Sequence, residues 1–183
     1  MDFITGLLMT WRQHDSIMVV VDMLTKAAHF IPVKSMHKTD DIANIFMKEI
    51  FKLHGLPKAI VSDRDVKFTS NFWKELFVDL GTQLNFGTTY NPHTDGYTER
   101  VNHVLEDMFH MYVMDKTTKW EDYLHLVEFA YNNGQKPSLG IGSYEALYGK
   151  RCRTLVTWDN PVNRVVLGPE LLKEMEQEVV KIR

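Results

Sequence analysis

Residues 16–33 read SIMVVVDMLTKAAHFIPV, two apolar runs separated by a polar turn around Thr25 and Lys26. Short runs that are rich in valine and isoleucine are typical of buried strands. We therefore predict two consecutive strands, over residues 16–23 and 27–33, joined by a turn.

The rest of the chain alternates strand-like and helix-like patterns. A first strand is predicted at residues 3–7, and a helix that is capped by Thr39 or Asp40 should stop at Gly55 and Pro57. The next predicted elements are a strand at 59–61, a helix at 70–80, a strand at 83–86 and a loop at 87–97. They are followed by a helix from Asp95 to about residue 114, a helix from Thr118 to about residue 133 and a short helix at 143–148. Glu121 has capping-box spacing from Thr118. This order favours an α/β fold with a mixed sheet of five strands flanked by helices.

Composition excludes several classes of protein. The 183 residues are 44% apolar and 25% charged, as is ordinary for a globular domain of this length. No run approaches the about 18 apolar residues of a membrane span, and no secretory signal is apparent. The single cysteine, Cys152, excludes an internal disulfide framework and a Cys-rich zinc site within this segment, and it fits a reducing compartment.

Three acidic residues stand in segments that suit chemistry on phosphates. Asp63 lies in residues 61–70, VSDRDVKFTS, where a short apolar strand ends, and Glu99 lies in residues 90–102, YNPHTDGYTERVN, where a turn-rich loop leads into a helix. The sequence places 35 residues between these two acids, and Asp2 opens a further segment at residues 2–7, DFITGL. Two strand aspartates and a helix glutamate can converge at one edge of a sheet, where their oxygens suit Mg²⁺.

Together these segments resemble the catalytic core of a gypsy (Ty3)-type retrotransposon integrase, a relative of the retroviral integrases. The likeness continues through residues 19–22, 24–26, 72–73 and 129–133 to residues 144–149, YEALYG. The resemblance implies a ribonuclease H-like fold, with residues 1–150 as a core that is truncated at its N-terminal edge. Residues 151–183 are then an irregular connector and an amphipathic helix that lead toward a missing C-terminal domain.

The resemblance also implies an activity. Integrases of this class use metal ions for 3′-end processing and strand transfer, which join double-stranded element DNA to host DNA in the nucleus. Asp2 and Asp63 would hold one Mg²⁺ or Mn²⁺ ion, and Asp2 and Glu99 a second. Two such ions activate the attacking oxygen and stabilise the leaving oxygen. A homodimer or higher oligomer, through the helices between residues 120 and 148, is implied as well.

Residue type alone leaves open that the three acids have ordinary structural roles. An aspartate at a strand end is usually solvated or caps a turn, and Glu99 in a first helical turn already complements the helix dipole. Asp22, inside the first valine-rich run, is an alternative first acid, but it matches a different segment of the family pattern. We expect Asp22 to have a structural role.

DNA contacts are expected around the acids, although a net charge of −3 is unusual for a protein that holds duplex DNA alone. Bound metal ions or parts outside this chain would supply the missing positive charge. The candidate DNA-binding residues are Arg64, Lys67, Asn91, His93, Thr94, Tyr97 and Arg100. A polar surface loop explains the same composition.

Three substitutions in that loop depart from the gypsy-type pattern, at Asn91, His93 and Tyr97. They keep open a second hypothesis, a catalytically inactive and truncated integrase remnant that folds and self-associates. A third hypothesis is a related nuclease or transposase of the same fold. The spacing of the acids and the Ala146-Leu147-Tyr148-Gly149 segment argue against it.

Overall fold

The first three strands form an antiparallel sheet in the order β1-β2-β3. These and all later elements come from a computed structural model that describes residues 1–63, 65–86, 101–104, 107, 117–150 and 152. The strands are β1 (Asp2–Ile4), β2 (Ser16–Val21) and β3 (Ala28–Val33). Both strands of the predicted pair are therefore confirmed, whereas β1 is shorter than predicted and ends before Gly6, whose φ of +80° suits a turn.

The other two strands, β4 (Ala59–Ser62) and β5 (Gln83–Phe86), pair in parallel as a separate two-stranded sheet. The predicted single sheet of five strands is therefore wrong, since the described strands form sheets of three and two. The two sheets meet at Met1, whose ammonium group donates to the Val61 carbonyl at 2.6 Å and whose carbonyl accepts from the Asp63 N–H at 3.4 Å. Met1 lies just before β1, so these two hydrogen bonds do not join β1 and β4 into one ladder.

One layer of helices covers the face of the three-stranded sheet that carries Met18, Ile31 and Val33. Its helices are α1 (Thr39–Phe46), a π-helical turn (Met47–Phe51), α2 (Lys52–His54), α3 (Val66–Thr69) and α4 (Asn71–Asp79). The N-cap of α1 is Lys38 and not Thr39 or Asp40 as predicted, because the Asp41 carboxylate accepts the Lys38 N–H at 3.0 Å. Rings of Phe46, Trp73 and Phe77 pack edge-on and tilted at the centre of this layer.

The second layer covers the opposite face, which carries Ile4, Ile17 and Phe30. It contains the helical residues 101–104 (α5), a 3₁₀ turn (Thr117–Lys119), α6 (Trp120–Asn133) and α7 (Ser143–Tyr148). The predicted helix at 95–114 falls mostly outside the described residues, and the predicted connector and helix at 151–183 do so except at Cys152. In the part of the chain that is described, no helix has both the length and the apolar character needed to cross a membrane.

Glu121 does not close the capping box that its spacing predicted. Its buried carboxylate instead accepts from the Thr10 hydroxyl at 2.9 Å and lies 2.5 Å from His14 Nδ1 and 3.4 Å from Arg12 Nε. This prediction failed because a tertiary partner, the loop between β1 and β2, binds the side chain. Glu121 therefore fixes that loop to the second helical layer.

The free edge of β3 is closed by side chains of α6. Asn132 accepts the Ala28 N–H at 2.8 Å and donates to the Ala28 carbonyl at 2.7 Å, so it imitates a neighbouring strand. Glu128 accepts the Phe30 N–H at 2.9 Å, and Pro32, two residues further on, has no N–H to offer. These devices protect an edge that would otherwise accept a strand from another chain.

Asn132→Ala should lower the free energy of unfolding by about 2–4 kcal/mol, because it leaves two buried backbone groups of Ala28 without partners. Urea unfolding followed by circular dichroism measures this effect. The matched control is Asn44→Ala, an exposed position on α1, which should change stability by less than about 0.5 kcal/mol. Equal stability of the two variants would contradict the edge-closing role of Asn132.

Candidate active site

Asp2 presents its carboxylate from β1 toward the second helical layer. Side chains alternate along a strand, so Asp2 shares a face with Ile4, which packs in the cluster that contains Val101 of α5. The Asp2 carboxylate accepts the Phe3 N–H through Oδ1 at 2.8 Å and the Asn102 Nδ2 group through Oδ2 at 2.5 Å. The partly buried carboxylate is thus oriented by a strand amide on one side and by α5 on the other.

Asp63 follows β4 directly and is brought to Asp2 by the contact between the two sheets. Its N–H donates to the carbonyl of Met1, the residue before Asp2. The Asp63 Oδ1 atom accepts the Asp65 N–H at 3.3 Å, and Asp65 in turn caps α3 by accepting the Lys67 N–H at 2.8 Å. The turn after β4 therefore fixes the direction of the Asp63 side chain.

The charges at this edge of the sheets act on one another. The pKa of Asp63 is raised to about 6, mainly by burial and also by the nearby carboxylates of Asp2 and Asp65, whereas the Asp65 N–H and the terminal ammonium group lower it. A raised pKa with a like-charged neighbour is typical of carboxylates that are gathered at a functional site.

Lys67 is the one predicted DNA-binding residue within the described part of the chain. Its ammonium nitrogen lies 4.7 Å from the centroid of the Phe3 ring, which stacks on Phe68 at 4.7 Å. Phe3 points away from Asp2 on the other face of β1, so Lys67 flanks the acids from the side of the first helical layer. Its contact with DNA stays a prediction.

The remaining predicted site residues lie outside the described residues. They are the third acid, Glu99, and the candidate DNA-binding residues Arg64, Asn91, His93, Thr94, Tyr97 and Arg100. Their roles stay predictions.

Asp22 has the structural role that the sequence suggested. Its Oδ2 atom accepts the N–H of Thr25 at 2.9 Å and the Thr25 hydroxyl at 2.5 Å, which closes the turn between β2 and β3. Both hydrogen bonds lower the pKa of Asp22 against the effect of burial, which is the largest single influence and raises it. The Asp22 carboxylate therefore stabilises the turn between β2 and β3.

Asn102 is a site residue that the sequence analysis did not single out. It donates to Asp2, while its own Oδ1 atom is buried and has no hydrogen-bond partner among the described residues. The signal was present, because Asn102 ends the segment that carries Glu99 and follows that acid by three residues. A buried amide oxygen without a partner costs free energy unless a donor or a cation satisfies it.

The donor set fits a divalent cation that prefers oxygen. Two carboxylates lie close enough for one to raise the pKa of the other, and the amide oxygen of Asn102 lies buried beside Asp2. Magnesium is held in proteins by one or two carboxylates, with waters and substrate oxygens completing its shell. The described residues contain no group of three or more His, Cys, Asp or Glu side chains placed to hold a metal ion, so a third acid would have to come from elsewhere in the chain.

This chain is similar in sequence to a known family of proteins. The model of the integrase core domain family matches residues 1–92. The polyproteins of the transposons Tf2-3 and Tf2-4 of Schizosaccharomyces pombe are each 30% identical over 148 residues, which cover 81% of this chain and 11% of each polyprotein. This chain therefore spans a small part of the length of these relatives.

Solved structures show the same fold at low identity. The catalytic core domain of the HTLV-2 integrase, in a trimeric form with magnesium, gives a TM-score of 0.61 at 15% identity and covers 79% of this chain and 93% of that chain. The simian T-cell lymphotropic virus intasome with the PP2A regulatory subunit B56 gamma gives 0.67 at 15% identity and covers 84% of this chain and 55% of that chain. The fold is thus the ribonuclease H-like α/β fold, and this chain belongs to the integrase core domain family, in the form found in Ty3/gypsy-type retrotransposon polyproteins.

Proposed function

We propose that this domain is the catalytic core of a retrotransposon integrase that processes the 3′ ends of element DNA and transfers them to host DNA. The observation that carries the proposal is the meeting of Asp2, Asp63 and Asn102 at the point where the two sheets touch. Nuclear action and double-stranded DNA as the partner belong to the same proposal.

The chain's own residues hold the reacting groups in place. Asp2 and Asp63 would hold one divalent ion, and Asp2 and Glu99 would hold a second. When bound, two divalent ions activate the attacking oxygen and stabilise the leaving oxygen of an in-line displacement. In processing, water attacks phosphorus and the bond to the 3′ oxygen breaks; in transfer, the freed 3′-hydroxyl attacks and one phosphodiester replaces another.

Hydrogen bonds within the site keep the two aspartates in position. Asn102 donates to Asp2, and the Asp65 N–H donates to Asp63, so neither carboxylate rotates freely. Such supporting hydrogen bonds typically contribute ~10- to 100-fold to metal affinity or activity. Lys67, in the first turn of α3, lies over the Phe3 ring, and its charge would favour an approaching phosphate.

DNA handling is proposed for the residues that flank the acids in the sequence. They are Arg64, Lys67, Asn91, His93, Thr94, Tyr97 and Arg100. Their cationic and hydrogen-bonding groups suit phosphate and base contacts. With a net charge of −3 on this chain, part of the affinity for DNA would come from metal ions or from other parts of a longer polyprotein.

Strand transfer on branched DNA that imitates the integration product tests the proposal. This substrate needs little help from additional DNA-binding domains. The expected result is a joined product in the presence of Mn²⁺ and none with EDTA. Folded protein that gives no product with Mn²⁺ would contradict the activity and favour the inactive remnant, whereas cleavage of RNA–DNA hybrids without strand joining would favour a related nuclease.

Self-association is proposed through the second helical layer. A cleft of about 610 Å³ runs between β3 and α6, with Leu124, Phe129 and Tyr144 among its apolar lining. The ring of Tyr144 lies 6.0 Å from that of Phe129 and 6.1 Å from that of Tyr148, whose side chain is 68% exposed. A row of aromatic rings at the surface is typical of the centre of a protein interface.

Tyr148→Asp should therefore weaken the dimer at least ~10-fold, because it places a charge within an apolar contact. Light scattering over a range of protein concentrations measures the dimer fraction. Leu53→Asp is the matched control, since Leu53 is 60% exposed on α2 in the other helical layer. A wild-type protein that stays monomeric at high concentration would contradict the proposed interface.

A further inference from the structure

A pair of histidines lies at the outer edge of β3, separate from the candidate active site. His29 of β3 and His54, the last residue of α2, approach one another with 2.8 Å between their Nε2 atoms and 5.0 Å between their ring centroids. The two residues are 25 positions apart in the sequence, so the fold brings them together. Their nitrogens face the same small space at the surface.

Glu128 of α6 orients the first of these rings. Its Oε2 atom is held by the Phe30 N–H at 2.9 Å, and its Oε1 atom lies 3.1 Å from His29 Nδ1. A carboxylate beside Nδ1 favours a proton on that nitrogen, so neutral His29 carries its lone pair on Nε2, toward His54. The arrangement of carboxylate, histidine and metal is a common one in zinc sites, where it fixes the ring and increases its basicity.

The separation of the two rings is close to that of a chelate. Two Zn–N bonds of about 2.0–2.1 Å at a tetrahedral angle place the nitrogens about 3.3 Å apart. The observed 2.8 Å is a hydrogen-bonding distance, and small rotations of two partly exposed side chains would open it to the chelate value. The carboxylate of Asp22 also acts electrostatically on His54, which makes the location favourable for a cation.

We propose that His29 and His54 form a two-histidine site for a borderline transition-metal ion, with Zn²⁺ as the expected occupant and waters as its other ligands. Imidazole nitrogens prefer zinc, copper and nickel, whereas the oxygens of Asp2 and Asp63 prefer magnesium and manganese. Since no third His, Cys, Asp or Glu joins this pair among the described residues, the site offers two protein ligands and binds zinc with moderate affinity.

The site would connect the two helical layers. His54 belongs to the layer of α1 to α4, whereas Glu128, which holds His29, belongs to α6 of the other layer. Zinc held by His29 and His54 would therefore link α2 to β3 and, through Glu128, to α6, and would stabilise the folded domain.

Calorimetric titration with Zn²⁺ tests the proposal best in an Asp63→Asn, Cys152→Ser background, which removes one acid of the candidate active site and the exposed cysteine. The expected result is one zinc ion per chain and a higher melting temperature with zinc. His54→Gln should weaken zinc binding at least ~10-fold, because the exposed glutamine keeps a hydrogen-bonding group but lacks the imidazole. His125→Ala, at an exposed position of α6, should leave zinc binding unchanged.

Two outcomes would overturn the site. One is equal zinc affinity in the background protein and its His54→Gln variant; the other is no zinc binding in the background protein. Magnesium should produce no stabilisation in this background, since its oxygen ligands are not at the histidine pair. Because the active-site aspartate is already replaced, the result does not depend on strand-transfer activity.

Discussion

Replacing Asp63 by asparagine is expected to reduce the rate of strand transfer by more than about 100-fold. This loss is larger than the loss of activity that follows when a supporting hydrogen bond of a metal ligand is removed. The amide is nearly the same size as the carboxylate but carries no negative charge and offers one oxygen. It can still accept the Asp65 N–H, so the turn after β4 should keep its shape. The loss would therefore report on metal binding rather than on folding.

The matched control for this experiment is Asp79→Asn. Asp79 ends α4 and is exposed, so the same chemical change there should leave the yield of transfer product within about twofold of the wild type. Both variants are assayed on branched DNA with Mn²⁺. Product formed by Asp63→Asn at the wild-type rate would show that this acid is not a ligand of the catalytic metal.

The second large effect is on stability and depends on pH. The pKa of Asp63 rises from 3.8 to about 6 on folding, so the folded chain holds this proton more tightly than the unfolded chain. Stability is therefore lost as the pH rises from about 4 through 6. The pKa shift corresponds to about 3 kcal/mol of unfolding free energy before solvent screening is allowed for. With that allowance, Asp63→Asn without metal should be more stable than the wild type by about 1–2 kcal/mol above pH 6.

Thermal unfolding at pH 4 and pH 7.5 measures this difference. In EDTA at pH 7.5, Asp63→Asn should melt several degrees above the wild type. At pH 4 the two proteins should melt at nearly the same temperature. Asp79→Asn is the control at both pH values. Added Mn²⁺ should raise the melting temperature of the wild type at pH 7.5 and leave that of Asp63→Asn unchanged. An advantage of the variant that is as large at pH 4 as at pH 7.5 would show that ionisation of Asp63 is not its cause.

Local periodicity predicted the elements whose side chains face a core. The strands β2 and β3 and the helix that buries Trp73 and Phe77 follow from their apolar pattern, and the structure confirms them. The motif segments also predicted Asp2 and Asp63, which the contact at Met1 brings together.

Features that depend on tertiary contacts were not predictable in the same way. Glu121 has the spacing of a helix cap but binds Thr10 and His14. These partners are over 100 residues away in the sequence, so local spacing could not predict the contact. The hydrogen bond from Asn102 to Asp2 is equally long-range. The strands divide into two sheets because β1 and β4 meet at Met1, just before β1, and this placement is not encoded in either segment alone.

Calorimetric titration of Mn²⁺ into the wild-type protein and Asp63→Asn at pH 7.5 tests whether Asp2 and Asp63 form a divalent-metal site at the junction of the two sheets. We expect saturable binding by the wild type that is lost in Asp63→Asn and retained in Asp79→Asn. Equal Mn²⁺ affinity in the wild type and Asp63→Asn would contradict it.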